Sequence, residues 1–272
     1  MDIKYFLDLW NSSKKSYDIE EKFWDKRVEE FNNKELEEEE SKKISCILEF
    51  LEIGKNRRFE NVLDIGCGTG FYSKKFSEIS KCVTATDISE NMLECAKRNL
   101  ESECRNNVKF VKSIWSELKM EDFEWKGKFD LVFASMTPAI DSYEDLIKMI
   151  DCGKNLYFLS GFVEKKDSLK NELSEVILGY HNDNPHGNKI YSAFNILWNM
   201  GYYPKISYVD SNRSKLRSVD ELYKKYLSYF ERKKPLAEED KVSIRKYIES
   251  KAISGIVEDK VTSKTAWLCW RK

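Results

Sequence analysis

The stretch Asn61-Val62-Leu63-Asp64-Ile65-Gly66-Cys67-Gly68-Thr69-Gly70 decides how the chain reads. An apolar run enters a turn where three of only 11 glycines fall within five residues, and a helical pattern follows over 70–79. Glycine takes backbone conformations closed to other residues and lets main chain approach a ligand without a Cβ in the way. The spacing is G-x-G-x-G, whereas the dinucleotide turn is G-x-G-x-x-G. Asp64 adds a second difference. A fixed carboxylate at the carboxyl end of a strand would repel a pyrophosphate at the helix N-terminus, and it suits a ligand carrying an ammonium group.

On either side of this turn the texture changes. After it, short apolar runs at 61–66, 82–86, 108–113, 129–134, 154–160, 204–210 and 264–270 read as strands. Helical patterns fill 70–79, 89–103, 141–151 and 187–200 between them. Strands alternating with helices predict an α/β fold, a doubly wound seven-stranded mostly parallel sheet. Residues 1–55 read as charged N-terminal helices forming a lid or cap, and 56–272 as the core. Two helical inserts interrupt the core at about 163–180 and 217–252. They carry Leu169, Leu173, Val176 and Ile177, and then Val219, Leu222, Tyr223, Tyr226, Leu227 and Phe230, at helical spacing. Extra segments in such folds roof the ligand edge, and an enclosed roof favours a small substrate. The aromatics in and between them (Tyr180, Tyr191, Trp198, Tyr223, Tyr226) read as core more readily than as a substrate cage.

The second strand ends in Thr84-Ala85-Thr86-Asp87-Ile88, with Asp87 23 residues after Asp64. An acidic side chain there is placed to accept hydrogen bonds from ribose hydroxyls. Ile88 offers an apolar face to a base. Ser89 is a good N-cap, with Met92 in the first turn of its helix.

Asp64-Ile65-Gly66-Cys67-Gly68-Thr69-Gly70, followed by Thr86-Asp87-Ile88-Ser89-Glu90-Asn91-Met92-Leu93, resembles the class I S-adenosylmethionine-dependent methyltransferases over roughly residues 60–160. The resemblance implies a Rossmann-like sheet and S-adenosylmethionine as cofactor. It implies that the loop with Gly66, Cys67, Gly68 and Gly70 cradles the methionine part, that Asp64 sits near the amino group and that Asp87 binds the ribose. The acidic residue that such proteins often place against the adenine amino group is missing. Ile114 stands there, so Ile114 or Trp115 would pack on the base. The fourth strand leads into Ser135-Met136-Thr137-Pro138, beside the transferable methyl group. This is not the Asn- or Asp-Pro-Pro-aromatic motif of base amino methylases. Ser135 joins the cofactor set; Met136 and Thr137 are substrate candidates, with Thr137 equally readable as a turn or cap residue. The segment around Phe23-Trp24-Asp25-Lys26-Arg27 resembles one that closes the cofactor cleft in small-molecule members. It makes Tyr17, Trp24 and Arg27 lid candidates, against simple aromatic packing.

Methyl transfer is a displacement in which the protein chiefly aligns the nucleophile, so a dedicated base is optional, and the sequence names no catalytic residue. His181 and His186, near Asp183, are candidates for the substrate side, but their spacing and setting read as a polar loop. No metal site is expected. The seven cysteines form no C-x-x-C pair and read as small buried hydrophobes of a reducing, cytoplasmic compartment.

Forty-six basic against 47 acidic residues leave no surplus for gripping a phosphate backbone, which argues against nucleic acid as partner. No apolar run is long enough for a membrane span, and the N-terminus lacks the pattern of a signal peptide. The expected activity is methyl transfer to a small-molecule acceptor. The alternatives are a protein or RNA methyltransferase and a non-catalytic S-adenosylmethionine-binding protein. A nicotinamide-dependent oxidoreductase is disfavoured by Asp64 and the glycine spacing.

Overall fold

The computed structural model describes residues 3–10, 16–32, 34–54, 57–101, 106–179 and 187–272. Four helices come first: α1 Ile3–Trp10, α2 Tyr17–Asp25, α3 Val28–Phe31 and α4 Lys34–Phe50. They are followed by β1 Phe59–Ile65, α5 Phe71–Glu78, β2 Ser80–Asp87, α6 Glu90–Glu101, β3 Val108–Lys112, β4 Phe129–Ser135, α7 Tyr143–Cys152 and β5 Gly153–Asp167. The chain continues through α8 Ser168–Leu178, α9 Gly187–Asn199, β6 Lys205–Ser218, α10 Val219–Glu231, α11 Glu238–Ser250 and β7 Ile256–Arg271.

The seven strands form one sheet in the order β3-β2-β1-β4-β5-β7-β6. β1 pairs in parallel with β2 and β4, β2 with β3, and β4 with β5. Parallel strands need crossovers, and helices on both faces leave the central strands without a polar side. Val62, Leu63, Ile65, Val83, Ala85, Leu131, Val132, Phe133 and Ala134 are accordingly fully buried. The register sets Ile65 beside Thr86, Asp64 beside Phe133, and Ser135 beside Ser160. The carboxyl ends of β1, β2 and β4, with Ser160 of β5, therefore line one edge of the sheet. Helix α6 lays Met92, Leu93, Cys95, Ala96 and Leu100 against the core, and the hydroxyl of Ser142 caps α7 by accepting from the Asp145 N–H at 3.1 Å.

The chain divides into two compact units, one of residues 1–161, 188–207 and 266–272, the other of residues 162–187 and 208–265. The division falls inside β5, β6 and β7. These three strands are longer than the sequence suggests, running to Asp167, to Ser218 and from Ile256. Glu164-Lys165-Lys166 breaks the apolar run that identifies a strand buried on both faces, yet a strand with one wetter face tolerates it. The N-terminal helices fall in the first unit. Both expected inserts fall in the second, the first starting as a helix only at Ser168.

In the second unit, Leu169, Leu173 and Ile177 of α8 pack with Leu222, Tyr226 and Phe230 of α10, Ile244 and Ile248 of α11, and Val257. The Tyr226 hydroxyl donates to Asp167 Oδ1 at 2.9 Å, and Lys225 reaches Asp259 at 2.9 Å. Tyr226 is therefore a core residue with a satisfied polar tip. Val176 is exposed.

Candidate functional site

Each glycine of the turn has its own physical reason. Gly66 has φ +68°, and a Cβ there would meet Thr137 Oγ1 at 2.0 Å, so the turn after β4 lies directly on the loop. Gly70 has φ +83°, and a Cβ there would meet the Ala96 methyl at 2.8 Å, which brings α5 close to α6. Gly68 has φ +54° but open space where a side chain would stand. Its main chain is the part of the loop that a ligand can approach.

Two carboxylates flank this loop. Asp64 is buried and accepts a 2.6 Å hydrogen bond from Ser73 Oγ, a fully buried residue of α5. Burial pushes its carboxyl up to about 7; the Ser73 hydrogen bond opposes this and the nearby Asp87 adds to it. Asp87 Oδ2 accepts from the Gly68 N–H and its Oδ1 from the Ser89 N–H, both at 2.9 Å. Its carboxyl is also raised, chiefly by burial, with Asp25 adding repulsion and the backbone donors pulling down. The Cys67 N–H donates to the Thr86 carbonyl at 2.9 Å, fastening the loop to β2. Cys67 is buried, and burial with the two nearby carboxylates holds its thiol well above the ordinary range.

The turn after β4 is held from three sides. Ser135 Oγ lies 3.1 Å from Ser160 Oγ, and the Met136 N–H donates to Ser160 Oγ at 3.1 Å, with Met136 itself at φ +53°. The Ala139 N–H donates to Thr137 Oγ1 at 3.1 Å, and Lys189 Nζ donates to the Thr137 carbonyl at 2.8 Å. Thr137 is buried, and its hydroxyl is engaged within the turn.

At the far end, Ile88 and Ile114 are half-buried beside the carboxyl ends of β2 and β3. Met92 is buried in the α6 face. Trp115 is held more deeply than Ile88 and Ile114. Its ring is buried, and its indole N–H donates to the Asp145 carbonyl at 3.2 Å.

Helices α2 and α3 reach the same edge. Tyr17 Oη lies 2.6 Å from Ser116 Oγ, Lys112 pairs with Glu21 at 2.7 Å, and Thr69 Oγ1 donates to the Phe31 carbonyl at 3.2 Å. Arg27 makes two hydrogen bonds to Glu30, at 2.6 and 2.7 Å, and its guanidinium lies about 5 Å from the rings of Phe23, Trp24 and Phe31. Arg27 and Trp24 thus lock the bend between α2 and α3, and Tyr17 fastens the start of α2.

Asp25, Ser73 and Ser160 are polar partners of the site that the sequence does not single out. The chain positions that bring them there are distant or have no local motif. His181 and His186 lie outside the described residues. Among the described residues, no three of His, Cys, Asp and Glu come together as a metal cluster, and no helix is long and apolar enough to cross a membrane.

Comparison with known proteins decides the family. Residues 62–151, from within β1 nearly to the end of α7, match the family model described as a methyltransferase domain. This segment is a class I S-adenosylmethionine-dependent methyltransferase domain. The methyltransferase domain is 40% identical over 75 residues to demethylmenaquinone methyltransferase of Lactococcus lactis subsp. lactis (strain IL1403), covering 26% of this chain and 28% of that protein. It is 38% identical over 88 residues to malonyl-[acyl-carrier protein] O-methyltransferase of Buchnera aphidicola subsp. Baizongia pistaciae, 28% and 33% of the two chains. It is 40% identical over 76 residues to ribosomal protein L11 methyltransferase of Acetivibrio thermocellus, 28% and 22%. The aligned stretches span a third or less of these curated relatives. Over 84% of this chain the fold is similar to that of a protein assigned as a methyltransferase from Bacillus halodurans C-125, of which 99% is covered, with TM-score 0.51 and 14% identity.

Proposed function

We propose that the protein transfers a methyl group from S-adenosylmethionine to a small-molecule acceptor. The observation that carries the cofactor assignment is the pairing of an open, left-handed Gly68 with Asp87, whose two oxygens are each aimed by a main-chain N–H. The remaining lone pairs of Asp87 suit the two ribose hydroxyls, and the main chain at Gly68 takes the methionine part. Asp64, behind the loop, supplies negative charge toward the amino group. Ile88 and Ile114 give the base an apolar slot. When bound, the cofactor supplies a methyl carbon activated by its sulfonium.

The chain's own residues then do three things. The loop and Asp87 fix where the methyl group points. The turn Ser135–Thr137, held by Ser160 and Lys189, forms a rigid wall beside it. The α2–α3 bend fastens over the same edge and limits water. Alignment of this kind accounts for most of what a methyl displacement requires.

A small acceptor is favoured by the balanced charge of 46 basic and 47 acidic residues, which gives no electrostatic grip on RNA. The names of the relatives span both kinds of acceptor, from demethylmenaquinone to a ribosomal protein. The test is a transfer assay with methyl-labelled cofactor against three panels: quinone, acyl and amine small molecules; ribosomal protein; and total RNA. Label in the first panel alone is expected. Label only in protein or RNA would overturn the acceptor class.

A further inference from the structure

Asp25 ends α2, 62 residues before Asp87 in the chain, yet it belongs to the same hydrogen-bond chain. Asp25 Oδ1 accepts from Ser89 Oγ at 2.6 Å and from the Asn91 N–H at 3.3 Å. Ser89 Oγ in turn accepts from the Met92 N–H at 3.1 Å, which caps α6, and the Ser89 N–H is the 2.9 Å donor to Asp87 Oδ1. The other oxygen of Asp87 is held by Gly68. One of the two donors that aim Asp87 is therefore carried by the residue that Asp25 grips.

This arrangement has an electrostatic cost. A carboxylate at position 25 repels the carboxylate of Asp87, whereas an amide there would accept the same two hydrogen bonds without repulsion. Charge-assisted bonds to a carboxylate are shorter and stronger than neutral ones, and the 2.6 Å Ser89 contact is of that kind. The gain is a stiffer turn at Ser89. The helix that carries Asp25 is itself anchored at Tyr17 and Glu21, so its end is not free to drift.

We propose that Asp25 is a positioning residue for the ribose end of the cofactor, acting through Ser89 to set the aim of Asp87. The proposal rests on the cofactor assignment above. It gives the α2 segment a definite task that a mere cover would not have.

The test compares S-adenosylhomocysteine with its 2′-deoxyribose analogue by titration calorimetry, in the full-length wild type, Asp25→Ala and Asp25→Asn. Hydrogen bonds to charged groups predict that the wild type binds the ribose form about tenfold tighter than the deoxy form. In Asp25→Ala the ribose form should weaken about tenfold and the deoxy form hardly at all, so the preference collapses toward one. Asp25→Asn, whose oxygen can accept both bonds, should restore the preference. A preference unchanged in Asp25→Ala, whether both ligands weaken together or neither does, would overturn the proposal, since a merely structural helix end gives that pattern. Equal binding of the two ligands by the wild type would overturn it as well. A wild type that binds neither ligand strikes the cofactor assignment instead.

Discussion

Replacing Asp64 by Asn should remove the loss of heat resistance that the ligand-free protein suffers as pH rises, and should also remove its response to cofactor. Asp64 is 1% exposed, and burial moves its carboxyl from the ordinary 3.8 to about 7. Between those two values the folded protein keeps a proton that the unfolded chain has released. The unfolded state then binds fewer protons, so this group lowers stability as pH rises from about 4 to about 7, and the loss is complete above that. A gap of about three units, at about 1.4 kcal/mol per unit, amounts to about 4 kcal/mol. Asparagine keeps an oxygen for the Ser73 hydroxyl and never ionises. Whatever its amide costs to bury is independent of pH and cancels in a comparison across pH. The assay is thermal unfolding of both proteins without ligand from pH 4 to pH 8.5. The difference in Tm should swing in favour of Asp64→Asn by about 8–16 °C over that range, at about 2–4 °C per kcal/mol. Parallel pH profiles would refute the argument that Asp64 is a strained, buried acid held in place for a ligand.

Other expectations follow from the same geometry. S-adenosylhomocysteine should bind more tightly as pH rises through 7, because its ammonium group pairs with the ionised form of Asp64; calorimetry on wild type and Asp64→Asn checks this, and a rise that persists in the variant would assign it elsewhere. Gly66→Ala puts a methyl 2.0 Å from Thr137 Oγ1 at φ +68°, so urea unfolding should show a loss of about 2–3 kcal/mol, and a variant as stable as wild type would mean that the β4 turn does not rest on the loop. Trp115→Ala should cost about 3–5 kcal/mol of stability, as expected for a buried ring rather than a ligand platform; a stable variant with weakened cofactor affinity would restore the base-stacking role. Iodoacetamide at pH 8 should label the exposed Cys46 and spare Cys67, whose thiol is buried and held protonated; mass spectrometry of the native protein reads this directly.

The parts of the site legible in the sequence are those whose chemistry is local. The glycine turn and its two aspartates lie within 24 consecutive residues, and each sits at the end of a strand whose apolar run announces it. Backbone constraints of that kind select residue types one position at a time. Asp25 and Thr137 are different. Asp25 reaches Ser89, and Thr137 meets Gly66, only because the fold brings distant segments together, and no local pattern announces either contact. Trp115 is a third case. An aromatic beside a base-binding position suggests stacking, and the sequence does not announce that the fold also holds its indole N–H on the Asp145 carbonyl. The long ends of β5, β6 and β7 were hidden for a third reason. Their outer stretches are half-buried, exposed or alternating, and β6 has no fully buried residue, so they lack the continuous apolar run that identifies a central strand.

The most direct measurement is a parallel calorimetric titration of the purified protein with S-adenosylmethionine, S-adenosylhomocysteine and NADH, repeated with Asp87→Ala. Saturable binding of the first two alone, lost in the variant, is the predicted result. Binding of NADH alone, or affinity for S-adenosylhomocysteine unchanged in Asp87→Ala, would contradict the assignment of this loop and its two aspartates as the cofactor site.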